Sequence, residues 1–131
     1  MWDNFGGLPM TRMFWDIAAA IEPRTAERRD AVTIRPMTQA GELHQAFSRI
    51  GFRDVTETML PMRMDFANFD DYWTPMRFGQ GTHAEFLASL PELSQHKIEA
   101  AVRAAYLCNR PDGPRGFAGV AWAARGVAPA A

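Results

Sequence analysis

TQAGELHQAFSRIGFRDVTETMLPMRM, residues 38–64, changes its apolar period in the middle, and that change decides the fold class. In the first half Leu43, Ala46, Phe47 and Ile50 recur at i, i+3, i+4 and i+7, the stripe of a helix buried on one side. Thr38 is placed to cap that helix, and Gly51 stands where a left-handed residue closes one. From Phe52 onward Val, Thr and Met alternate in part with polar residues, the pattern of a strand. Pro61 has no N–H to give a ladder, so the strand is expected to end or bulge there. A helix passing through a glycine turn into a strand predicts a mixed α/β domain.

Upstream, WDNFGG (2–7) reads as an extended end running into a Gly-Gly turn. A helix follows over PMTRMFWDIAAAIEP, with Pro9 in its first turn, Pro23 ending it, and Met10, Met13, Phe14, Ile17 and Ile21 at helical spacing. RTAERRDA reads as a polar connector and VTIRP as a short extended piece. Downstream, NFDDYWTPMRFGQGT (68–82) opens with an N-cap, Asn68, and two acids that suit the positive end of a helix, Asp70 and Asp71. Tyr72, Trp73 and Met76 share one face of that helix. Thr82 with Glu85, and Ser89 with Glu92, have capping-box spacing for two further helices. In the last of these, Leu93, Ile98, Ala101, Val102 and Ala105 supply the apolar side. NRPDGPRG is a turn, and FAGVAWAARG a final strand of small residues with Phe117, Val120 and Trp122.

Little in the chain carries chemistry by itself. Adjacent helical positions point about 100° apart, so Asp70 and Asp71 do not converge on one ion, and capping accounts for both. His44, His83 and His96 lack ligand spacing and read as surface or boundary residues. Nothing near Cys108 lowers its pKa, and it reads as a small buried apolar residue. No nucleotide-binding glycine fingerprint, metalloprotease motif or nucleophile elbow is present. Most of the aromatic residues belong to a core, and a subset is free to line an apolar pocket.

The 131 residues suit one domain, with 47% hydrophobic and 22% charged residues. A net charge of -1 leaves no basic excess for nucleic acid. No apolar run approaches the ~20 residues needed to span a bilayer. One cysteine and no basic, apolar leader give a reducing cytoplasm as the expected compartment.

In order and spacing these segments resemble the C-terminal part of a class I S-adenosylmethionine-dependent methyltransferase, of the ubiquinone/menaquinone-biosynthesis-like type 11 group. WDNFGG is similar to the end of that family's fifth strand, and RMFWDIAAAIEP (12–23) to the helix after it. ELHQAFSRIGFRDV (42–55) resembles the helix that enters the sixth strand. DFANFDDYWTPMRFGQG (65–81) resembles the group's FxxFDDYWxPF insertion, and VAWAARG (120–126) its seventh strand.

The resemblance implies a Rossmann-like fold of which this chain holds one partial domain. Residues 1–64 would give the post-fifth-strand helices and sixth strand, 65–110 a helical cap insertion, and 115–126 the final strand, antiparallel between the fifth and sixth. Tyr72, Trp73, Met76 and Phe78 would face an apolar methyl acceptor, with Phe14 and Trp15 at the same mouth; the alternative is that these rings simply join cap to sheet. The family's cofactor is S-adenosylmethionine, but its glycine loop and acidic strand end have no counterpart here. No cofactor binding or methyl transfer is expected of this chain alone, and no catalytic base is assigned. A truncated gene product, a fragment or half of a split enzyme is implied. The expected partner is a complementary N-terminal half or, through an open strand edge or apolar patch, a second copy. The rival reading is a stand-alone binding or oligomerisation module with an aromatic-lined pocket.

Overall fold

The computed structural model describes residues 1–129. Helix α1 (Pro9–Ile21) leads through a 3-10 turn (Pro23–Thr25) into α2 (Ala26–Thr33), followed by α3 (Glu42–Arg49) and strand β1 (Arg53–Phe66). Helices α4 (Phe69–Phe78), α5 (Thr82–Ala88) and α6 (Glu92–Leu107) then precede strand β2 (Arg115–Val127). The architecture is mixed α/β.

The two strands pair antiparallel from Phe66↔Arg115 to Arg53↔Val127, with an irregularity between Arg53 and Thr56. Pro61 does not end the strand, as the sequence suggests. It lies opposite Val120, whose N–H donates to Gly7 O and whose C=O accepts from Asp3 N. Both polar groups of Val120 therefore turn away from β1. The pair is of the non-hydrogen-bonded kind, and the Pro61 nitrogen faces the outer edge, where no N–H is required. The irregularity falls instead beside Asp54, at φ 52°.

The other side of β2 is taken by the N-terminal segment. Met1 and Trp122 exchange backbone bonds, and Trp2 bridges Ala121 antiparallel. Gly7 allows the close approach, because a Cβ there would stand 2.8 Å from that of Val120. β2 thus lies between the N-terminal segment and β1, with three helices inserted between the two strands.

Along β1 alternate side chains share a face. Met64 and Phe66, with Phe117 opposite Met64, pack against the helical core. That core joins Met10, Phe14, Trp15 and Ala18 of α1 to Phe69, Tyr72 and Trp73 of α4, Phe86 and Leu87 of α5, and Ile98, Val102 and Tyr106 of α6. The buried row of α6 is thus Ser94, Ile98, Val102 and Tyr106; Leu93 and Ala105 face water. On the opposite face of the ribbon Glu57 holds α3, its carboxylate accepting from Gly41 N (2.5 Å) and His44 N (2.9 Å).

Several local expectations change for local reasons. Residues 26–33 are helical rather than a connector, and Thr33 returns its hydroxyl to Arg29 O within that helix. VTIRP is not extended throughout: its Val32 and Thr33 end α2, and Ile34 is the residue that closes that helix. Thr38 does not cap α3. Its N–H and that of Gln39 donate to the Glu42 carboxylate, while Gly41 at +83° takes the N-cap position. Neither Thr82 nor Ser89 caps a helix: Thr82 is already helical after Gly81, and the Ser89 hydroxyl turns back to Phe86 O. Cys108 is exposed, because it is the left-handed residue that follows α6. Asn68 caps α4 as expected, accepting from Asp71 N at 2.9 Å, and Gly51 is left-handed at +89°.

Candidate functional site

Four of the six side chains assigned to an acceptor mouth converge inside the helical body. Phe14 and Trp15 meet edge to face at 5.1 Å between centroids, and Phe14 lies 6.1 Å from Trp73. Trp73 stacks on Phe69 at 5.7 Å, and Tyr72 on Tyr106 at 5.6 Å. The Tyr72 hydroxyl donates to Met10 O (2.8 Å), tying α4 to α1, and burial pushes its pKa well up, so it stays protonated. Each of these four rings is almost wholly buried. Met76 is partly buried against the cluster. Phe78 stands apart, 72% exposed, with the Arg77 guanidinium 5.0 Å from its ring.

The cluster also contains a residue the sequence reading put at the boundary. His83 lies 5.0 Å from Phe14 and 5.2 Å from Trp15, ring to ring. Desolvation lowers its pKa to about 4, so the imidazole is neutral at pH 7. Its Nε2 is buried without a partner, as are Nε1 of Trp15 and of Trp73. The spacing His83, Phe86, Leu87, Leu90 is the signal that places it inward, at i, i+3, i+4 and i+7. His44 is exposed, and His96 lies 3.5 Å from the Glu92 carboxylate at the surface.

Asp70 and Asp71 do the structural work expected of them. Asp71 accepts from Ala67 N at 2.8 Å, and Asp70 pairs with Arg103 at 3.0 Å. Arg103 also lies 4.2 Å over Phe69, and Asp112 accepts from Phe69 N. Among the described residues no group of three His, Cys, Asp or Glu side chains is placed to hold a metal ion.

Among the described residues, four hollows of about 130 to about 330 Å³ open on the helical body and on the strand pair, and none of these four is lined by the six assigned side chains. The largest, about 330 Å³, lies where Arg24, Thr25 and Arg28 face Glu85, Phe86, Ser89 and Leu90. Phe86 forms the contact between this hollow and the aromatic cluster, its ring 5.0 Å from Trp15.

The step from β1 to α4 has no glycine, and Asp71, Asp112 and Asn68 already accept from the N–H groups of Ala67, Phe69 and Asp71. Among the described residues no helix is long and apolar enough to cross a membrane. Comparison with protein-family models, with curated proteins and with solved structures finds no match.

Proposed function

We propose that this chain is the acceptor-side part of a class I methyltransferase and acts with a nucleotide-binding half that carries S-adenosylmethionine. The observation that supports this most is the strand arrangement: β2 lies antiparallel between the N-terminal segment and β1, with a three-helix insertion between the strands. This is the order implied for the fifth, seventh and sixth strands of that fold. In this reading Phe14, Trp15, Tyr72 and Trp73 fasten the cap to the sheet. Met76, at the edge of the cluster, and Phe78, exposed beside it on α4, remain for the acceptor. Catalysis would rest on holding an acceptor atom in line with the donor methyl group, a matter of proximity and orientation.

The same reading gives the sheet a cover. Trp2, Leu60 and Met62 are 41%, 45% and 37% exposed, and Trp2 and Leu60 both lie opposite Ala121. This apolar row is suited to the missing half. Without that half, copies of the chain are proposed to associate through this face rather than through the β1 edge. Pro61 withholds an N–H from that edge, and the Glu57 carboxylate is committed to α3.

Two measurements test the proposal. Calorimetric titration of the isolated chain with S-adenosylmethionine is expected to show no binding. DNA immediately upstream is expected to encode a glycine-rich strand–turn–helix unit which, co-expressed with this chain, restores micromolar cofactor binding. Tight binding by the chain alone, or an upstream frame without such a unit, overturns it. Sedimentation as a monomer at micromolar concentration removes the self-association part.

A further inference from the structure

Two arginines on the 3-10 turn and α2 have no acidic partner among the described residues. Arg29 pairs with Asp16 and Asp30, whereas Arg24 and Arg28 make no ion pair or side-chain hydrogen bond among the described residues. Four positions apart, they line the same hollow of about 330 Å³. Its opposite wall is mixed: Phe86, 6% exposed, and Leu90, which packs partly against the core, lie beside the polar Ser89. One acid, Glu85, also lines the hollow.

We propose that this hollow binds a small carboxylate with an aromatic body. The guanidinium fork matches a carboxylate in two parallel hydrogen bonds, and a ring laid on Phe86 and Leu90 would remove apolar surface from water. The volume lies near the lower end of the ~300–1,000 Å³ usual for ligand pockets, which suits a single-ring molecule. Glu85 opposes a second negative charge and offers an acceptor to a hydroxyl on the ring. Because both arginines are exposed, attraction is strongest at low ionic strength. The site stands independently of the methyltransferase reading, since its ligand is bound without the cofactor.

The test is a titration of the 15N-labelled chain at low salt with 4-hydroxyphenylacetate, with its neutral amide, and with inorganic phosphate. The carboxylate is expected to saturate with a dissociation constant of order 1 mM or below, shifting amides of residues 24–28 and 85–90. The amide and phosphate should each bind at least about tenfold more weakly, because each lacks one half of the recognition. The double variant Arg24→Gln, Arg28→Gln should lose about tenfold, with an unchanged melting temperature as the fold control. Arg24→Lys with Arg28→Lys should fall between. The proposal is overturned if no shift saturates, if the amide binds as well, if phosphate matches the aromatic acid, or if the glutamine variant binds undiminished.

Discussion

Leu60 and Met64 lie four residues apart on one face of β1, yet they meet different surroundings. Met64 packs with Phe66 and Phe117 beneath Tyr72, while Leu60 is 45% exposed opposite Ala121. The root of the ribbon is covered by α1, α4 and α6, and its arm is not. The backbone ladder therefore continues past the helices that bury one of its faces. Antiparallel pairing satisfies the backbone along the arm, but it removes little side-chain surface from water. The helical body gains its stability from aromatic burial, whereas the arm depends on pairing and on whatever covers its face.

The largest effect that can break this comparison is a truncation in the body. Trp15→Ala removes a fully buried ring that touches Phe14, His83 and Phe86, and should cost about 3–5 kcal/mol in denaturant unfolding. Leu60→Ala should stay within about 0.5 kcal/mol in dilute monomer, and cost more only where copies associate through that face. If the two cost the same in dilute monomer, the contrast between root and arm is wrong.

Glu57→Ala comes next. The carboxylate is the acceptor for two N–H groups at the start of α3, and no side chain of α3 is fully buried. Removing it should cost about 1–3 kcal/mol and raise amide exchange in α3 before it does so in α6. Equal exchange in both helices would mean that α3 is held by packing rather than by this carboxylate.

Why the root was easier to read than the arm follows from what each signal encodes. Apolar spacing in α1 and the Asn68 cap with its following acids are local, so both helices and the inward rings Phe14, Tyr72 and Trp73 were legible. Pro61 was misread because its tolerance depends on the direction in which Val120 points, a fact about a residue 59 positions away. The capping boxes at Thr82 and Ser89 failed because Gly81 and Pro91 took the cap positions. Leu93 was placed inside by composition, but the geometry of α6 turns Ser94 inward, where its hydroxyl meets the Glu22 carboxylate. The hollow beside Arg24 and Arg28 was not legible, since its two walls come from segments about 60 residues apart.

A smaller effect concerns pH in the body alone. Burial depresses the His83 pKa from 6.5 to about 4, so the unfolded chain takes up a proton on this residue before the folded one does. Its contribution is fully present above pH 6.5 and is lost as pH falls through the window down to about 4. Allowing for the ring's partial exposure, the loss should be about 1 kcal/mol in all. His83→Phe should flatten the stability profile in that window. A profile equally steep in the variant would place the titrating group elsewhere.

The smallest expected effect distinguishes the inward rings from the outward one. Phe78 is 72% exposed, and its neighbour Arg77 is already engaged with Glu99 at 2.7 Å. Phe78→Ser should therefore change stability by no more than about 0.5 kcal/mol, less than the upper range of an exposed cation–π contact. That near-silence makes the variant informative in the proposed two-part enzyme. With folding unaffected, a rise in KM for an apolar acceptor would reflect a lost contact at the mouth. A destabilisation above about 1 kcal/mol would instead mean that Phe78 is buried in an assembly of copies. The aromatic available to an acceptor would then have to be sought elsewhere on the cap.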